Sequence, residues 1–364
     1  MTAGESGNGH RLPQGSSAQT MLIAVTYHYV RPGFAGSAPG IYGITPGELE
    51  TQLRLLGTVG EFVSIAQVRA AVRDRGRLPP RALLVTLDDG LREQVDHALP
   101  VLDRLGIPAV FFVNTWPIAN RAISTVHKIH LLRANTSPTN FYALLQAEGR
   151  RQGIEVGPGV VPAAAAVQYP WDSPESAQLK YFLNHELAPD VKDAIIGPCF
   201  RHVFGDAEEA ISGDLYMDIE RLRELGARGY LGTHGHRHVH LGRLSRPALQ
   251  ENVRTSLDTL VQWTGVRPFA LAYPFGSLEA SRVEAAAVAE AGVELAFTME
   301  RAANVDLDRP LHLARFDCNE LPAGRQPSFT VHSLFDSAPW ARWHREMPEP
   351  GVPGNAMAAA LKET

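Results

Sequence analysis

The sequence predicts an α/β fold: a distorted (β/α) barrel of about seven parallel strands carrying one helical insertion. Three observations predict it. Short apolar runs bounded by Gly, Pro or charge recur along the chain, as strands buried on both faces do. Between them lie amphipathic stretches ending in Gly, the pattern of helices that stop at a left-handed cap. No G-x-G-x-x-G or Walker loop follows any of the runs, so an open nucleotide-binding sheet has no support and about seven strand-helix units favour a barrel.

Residues 1–20, MTAGESGNGHRLPQGSSAQT, bury too little apolar surface to offset chain entropy, and a disordered tail is expected there. The same segment has neither a charged n-region nor an apolar h-region, and no run of eighteen apolar residues occurs, so the expectation is a cytoplasmic chain without a membrane partner. The predicted strands are MLIAVTY (21–27), ALLVTL (82–87), AVFFV (109–113), GYLGT (229–233), FALAY (269–273), ELAFT (294–298) and LHLARF (311–316). The intervening helical patterns include PGELETQLRLLGTVG, LREQVDHALPVLDRLG, DIERLRELGARG and RPALQENVRTSLDTLVQWTG.

These elements place the barrel at residues 21–335, and 116–216 interrupts its rhythm as a mostly helical insertion after the third major strand. Insertions on strand-following loops lie near the active face, which suits a lid or substrate wall; a homodimer contact is the equal alternative. Residues 336–364 read as an irregular C-terminal tail.

Composition narrows the partners. A net charge of -5 provides no positive field to gather phosphates, which excludes nucleic acid as the expected partner. Two cysteines, Cys199 and Cys318, are too few for a disulfide framework and read as reduced thiols.

The chemistry concentrates in two segments. LLVTLDDG ends a strand with Asp88 and Asp89 before Gly90, and adjacent buried carboxylates raise each other's pKa unless a cation intervenes. GYLGTHGHRHVHLGRLS follows another strand with His234, His236, His238 and His240. If the chain turns helical there, either His234 with His238 or His236 with His240 shares a face and can bind one ion. Two imidazoles and one carboxylate, with open positions for water and substrate, form the donor set of a catalytic zinc site.

TLDDG resembles the T-F-D-D-G motif of the polysaccharide deacetylase family (carbohydrate esterase family 4). GTHGHRHVHLGRLS resembles that family's G-x-H-[ST]-x-x-H-x-x-L segment, and LAYPFG its R-x-P-[YF]-G motif; the resemblance covers roughly residues 21–113 and 216–318. It implies Asp88 as general base and Asp89, His234 and His238 as ligands of a divalent metal. Zinc is the first expectation, although cobalt, nickel and iron accept the same donors. It also implies an oxyanion donor at the backbone near Phe275, with Tyr273 of the same motif on the substrate side. TYHYV resembles the circularly shifted arrangement of some bacterial exopolysaccharide deacetylases, which makes His28 the expected acid for the leaving amine.

One position departs from the family pattern. Ala272 stands where the motif arginine pairs with the base, so Arg315 in HLARFD is expected to orient Asp88. Asp317, two residues on and facing the same side of an extended chain, is expected to orient His28. Trp116, just after AVFFVNT, is expected to line a sugar pocket, whereas Trp263 reads as core or rim. His127 and His130 in VHKIH read as helix-face or packing residues rather than ligands, since no acidic partner lies nearby in sequence. Neither G-x-S-x-G nor H-E-x-x-H occurs.

The expected function is therefore metal-dependent hydrolysis of the acetamide or formamide of a small N-acetylated, amino-sugar-containing metabolite. A related amidase acting on a linear non-sugar amide, and an inactive barrel used as a binding module, are the alternatives.

Overall fold

The structure, a computed structural model, describes residues 20–35, 41–74, 76–156, 162–168, 173–183 and 187–345. Its centre is a curled parallel sheet of eight strands: β1 (Met21–Tyr27), β2 (Glu61–Phe62), β3 (Arg81–Leu87), β4 (Ala109–Val113), β5 (Leu231–Thr233), β6 (Ala270–Ala272), β7 (Leu295–Phe297) and β8 (Phe316–Asp317). The order is β7-β6-β5-β4-β3-β1-β8, with β2 branching from β3. The two longest strands are paired from Met21↔Arg81 to Tyr27↔Leu87.

The period of two along each strand sorts its side chains between two cores. Leu22, Ala24, Leu84, Val110, Phe112, Ala270, Ala272, Leu295, Phe297 and Leu313 face one another inside the curl. Ile23, Val25, Tyr27, Leu83, Val85, Leu87, Phe111 and Val113 face outward onto helix residues such as Leu53, Leu102, Leu222 and Leu225. Gly232 sits against the Phe112 ring, where a Cβ would come within 2.4 Å of it, so only glycine lets β5 pass at this level.

Each predicted strand is found, with adjusted ends. GYLGT, FALAY and ELAFT shorten to three residues, and β2 is an addition the sequence did not announce. LHLARF is strand only at its end, yet it spans the gap between β7 and β1: the Thr298 N–H donates to Leu313 O at 2.7 Å, and Phe316 pairs with Val25. Helices cover the outside, and among the described residues none is long and apolar enough to cross a membrane.

The described residues of 115–215 are largely helical and own a separate apolar cluster that includes Leu132, Phe141, Leu145, Leu179, Ile195 and Phe200. This unit returns to the sheet at Met217, whose N–H donates to Gly90 O at 3.0 Å beside the two aspartates. The tail expected over 1–20 lies outside the described residues except for Thr20, as does that over 336–364 beyond residue 345. The described part of the latter is tied to the sheet: the Ala303 N–H donates to Pro339 O at 2.8 Å and the Trp343 N–H to Glu300 Oε1 at 3.1 Å.

Candidate metal centre

The inward faces of β3, β5 and the segment leading into β8 carry the polar groups to one end of the curl. The alternation Leu84, Thr86, Asp88 places Asp88 inward, with its N–H donating to Tyr27 O at 3.0 Å. The chain then breaks: Asp89 has φ 81° and Gly90 φ 65°. A left-handed aspartate costs of order 1–3 kcal/mol and persists only where the surroundings hold it.

Asp89 Oδ1 lies 3.5 Å from His234 Nε2 and 3.5 Å from His238 Nε2, and the three donor atoms are all within 4.8 Å of one another. His234 Nδ1 is 2.8 Å from Ala272 O, which requires the proton on Nδ1 and leaves the Nε2 lone pair facing Asp89. Asp89 Oδ1 is buried without a hydrogen-bond partner. Burial pushes the His238 imidazole down to about 3 despite the pull of Asp89, and it lowers His234 in the same way. Two neutral imidazoles and an orphaned carboxylate oxygen are a fitting donor set for a divalent cation.

The histidines do not converge by the helical spacing considered from sequence. Residues 234–240 form an irregular loop, with Gly235 at φ 77° and a short 3₁₀ turn only at Leu241–Arg243. This loop resolves the two candidate pairs. His236 Nδ1 lies 2.9 Å from Thr115 Oγ1, and His240 stacks on Phe275 at 4.1 Å, so neither reaches Asp89.

Arg315 is fully buried and meets Asp88 with both nitrogens: Nη1 donates to Oδ1 at 2.7 Å and Nη2 to Oδ2 at 2.8 Å. Its Nε–H donates to Thr298 O at 3.1 Å and Nη1 also to Thr86 Oγ1 at 3.0 Å, which fixes the fork. Burial alone would raise the Asp88 carboxyl, but the guanidinium outweighs it and the carboxyl is held below its usual range. Asp89 is also subject to burial that would raise it, and is held well below its usual range chiefly by His127.

His28 follows β1 and lines a cavity of about 420 Å³ together with Asp317, Tyr29 and His130. The expected Asp317–His28 hydrogen bond is not among those of the described residues. Asp317 Oδ1 accepts instead from the Asn319 N–H and Nδ2, both at 2.8 Å, because Asp317 caps the 3₁₀ turn that follows it. His28 is positioned through its backbone: Gln94 Nε2 donates to His28 O at 2.9 Å and to Asp88 O at 2.6 Å, clamping two strand ends.

Tyr273 is corrected from the substrate side to the core. It is fully buried, and its hydroxyl donates to Leu311 O at 2.9 Å. Phe275 does reach the centre: at φ 65° it is 40% exposed, its ring meets that of His238 in a T-shaped contact with centroids 4.5 Å apart, and its N–H has no backbone acceptor among the described residues. Trp116 lines a smaller cavity shared with His238, and its ring lies beneath the Arg237 guanidinium at 5.8 Å.

The second correction concerns His127. It is no packing residue: its Nε2 lies 3.2 Å from Asp89 Oδ2, and it is 1% exposed. The contact joins positions 38 apart in sequence through the helix Thr125–Asn135, so no local acidic spacing announced it. His130 lies one turn on, bonded to Tyr29 OH at 3.0 Å.

The model of the polysaccharide deacetylase family matches residues 75–149 and 209–296, which hold the Asp-Asp pair and all four histidines of the loop. No curated protein matches the chain in sequence. Among solved structures, it is similar to a deacetylase, PplD, from Streptococcus pyogenes in complex with acetate. The identity is 13%, the match covers 88% of this chain and 99% of that one, and the TM-score is 0.52. It is also similar to IcaB from Ammonifex degensii, at 19% identity over 82% of this chain and 91% of that one, with a TM-score of 0.46. At 13% identity the first likeness is one of fold.

Proposed function

Since the chain belongs to the polysaccharide deacetylase family and is a hydrolase acting on amide bonds, we propose that it removes the acetyl group of an N-acetylated amino sugar with the help of a divalent metal. The observation that carries this reading is the pairing of two differently held carboxylates. Asp88 is locked to Arg315, and Asp89 shares its open oxygen with His234 and His238.

Asp89, His234 and His238 would hold the ion, with zinc the first candidate. When bound, it supplies Lewis-acid polarisation of the amide carbonyl and lowers the pKa of water. Asp88, kept ionised by Arg315, accepts a proton from the attacking water. His28, on the wall of the larger cavity, returns a proton to the departing amine nitrogen, which cannot leave as an anion. The N–H of Phe275, whose ring packs on His238, is a backbone donor suited to the developing oxyanion. Asp317 serves the 3₁₀ turn beside His28 rather than the imidazole itself.

The cavity volume of about 420 Å³ falls within the range of roughly 300–1,000 Å³ typical of small-ligand sites. The reading is tested by metal analysis of the purified chain together with acetate release from N-acetyl sugars and from linear N-acyl amides. Metal with acetate from the sugars supports it. Turnover of linear amides alone supports the related amidase, and neither metal nor turnover supports a binding module. Arg315 weighs against the last, because it restores the cation that Ala272 removes.

A further inference from the structure

Asp89 has two oxygens, and the structure uses them differently. Oδ1 faces His234 and His238 and has no hydrogen-bond partner, whereas Oδ2 faces His127 Nε2 at 3.2 Å. His127 comes from the helical unit rather than from the sheet, and its other nitrogen is fixed in turn. Nδ1 lies 2.6 Å from Tyr216 OH and 3.0 Å from Ser124 Oγ, and the Ser124 N–H donates to Tyr216 OH at 3.1 Å. Asp89 Oδ2, a carboxylate oxygen, can only accept, so the contact requires the His127 proton on Nε2. Nδ1 is then the acceptor, served by the hydroxyls of Tyr216 and Ser124, which also lie 3.1 Å from each other.

The whole relay is buried: His127 is 1% exposed and Tyr216 3%. Burial raises the Tyr216 hydroxyl and keeps it protonated, as the relay requires. A buried carboxylate with a rotamer choice can offer a cation either one oxygen or both. With Oδ2 held by His127, Oδ1 is the oxygen left unpartnered beside His234 and His238.

We propose that His127 is a positioning residue for the metal centre, holding Asp89 Oδ2 through its Nε2–H so that Oδ1 alone is presented beside His234 and His238. The inference rests on the functional reading above, since it requires Asp89 to be a metal ligand. It assigns the helix Thr125–Asn135 a part in building the centre and not only in covering it.

The test uses the full chain stripped of metal and titrated with zinc against a chromophoric chelator, with the melting temperature of the apo form recorded in parallel. His127→Ala is expected to weaken zinc binding about 10- to 100-fold, the usual range for losing an outer-shell partner. His127→Gln, whose amide nitrogen stands near the lost Nε2, is expected to recover most of the affinity. The Ser124→Ala/Tyr216→Phe double variant, which leaves Nδ1 without either hydroxyl, should fall between. A merely structural role predicts a lowered apo melting temperature with unchanged zinc affinity in the folded variants and no rescue by glutamine, and that result overturns the proposal. If His127→Ala does not fold, wild-type zinc affinity in the Ser124→Ala/Tyr216→Phe double variant overturns it equally. Failure of the unmodified chain to bind zinc overturns both this inference and the functional reading; normal binding with an indifferent His127→Ala overturns this inference alone.

Discussion

Asp88 and Asp89 are adjacent in sequence and equally buried, yet they sit in opposite electrostatic situations. Toward the closing end of the sheet, Asp88 gives both oxygens to a permanent cation, Arg315, that is itself wholly enclosed. Toward β5 and the helical unit, Asp89 has one oxygen bonded to His127 and the other without a partner. The difference teaches how two like charges can coexist in a core. One is neutralised once and for all, and the other is left to a charge that can be gained or lost.

The contrast is broken most severely by removing its exchangeable side. His234→Ala or His238→Ala should abolish both stoichiometric zinc binding and amide hydrolysis, read by metal analysis and acetate release. A variant that keeps both would place the chemistry elsewhere. Removing the permanent side is next. Arg315→Leu leaves a buried carboxylate uncompensated and should cost about 3–5 kcal/mol in denaturant unfolding together with turnover. Arg315→Lys should recover only part of this, because one ammonium cannot replace a two-pronged contact.

Zinc itself sharpens the comparison, because it should stabilise the chain only through the Asp89 side. At a free concentration a hundred times Kd, the expected gain is about 2.7 kcal/mol, seen as a higher melting temperature that Asp89→Asn removes. The apo form should also respond to pH. Burial holds His130 and His238 at about 3 and His240 at about 4, below an unfolded value near 6.5. The unfolded chain therefore takes up protons that the native chain refuses as pH falls through the sixes. Stability should be full above about 7 and decline toward 4, by up to roughly 1.4 kcal/mol per pH unit for each fully buried imidazole. A flat apo stability between pH 7 and 4 would contradict that burial. The smallest effect is expected at Tyr273. Tyr273→Phe removes one buried hydroxyl that bonds only Leu311 O, so it should cost about 1 kcal/mol and leave turnover unchanged.

Much of this was legible in the sequence where the signal was local or periodic. MLIAVTY and AVFFV are strands from end to end because every residue is apolar or β-branched and both faces are covered. The exchange of Ala272 for Arg315 could be anticipated because a buried Asp88 demands a cation and HLARFD offered one near a late strand end. What stayed illegible was set by tertiary geometry. The choice between His234/His238 and His236/His240 depended on a loop whose left-handed Gly235 defeats helical spacing. His127 finds its acid 38 positions away, across the entry to the helical unit. Tyr273 and Phe275, two residues apart in one motif, point to different places because the backbone turns to positive φ at Phe275.

The origin of the guanidinium has a consequence for biosynthesis. Arg315 belongs to the segment that bridges β7 and β1, laid down after every other strand but β8. A nascent or truncated chain ending before it would contain the aspartates, the histidine loop and the helical unit, yet would enclose a bare negative charge in an unfinished ring. Such a product should be recognised as misassembled by proteolysis rather than accumulate as a partially active enzyme, so hydrolytic competence and completion of the chain arrive together.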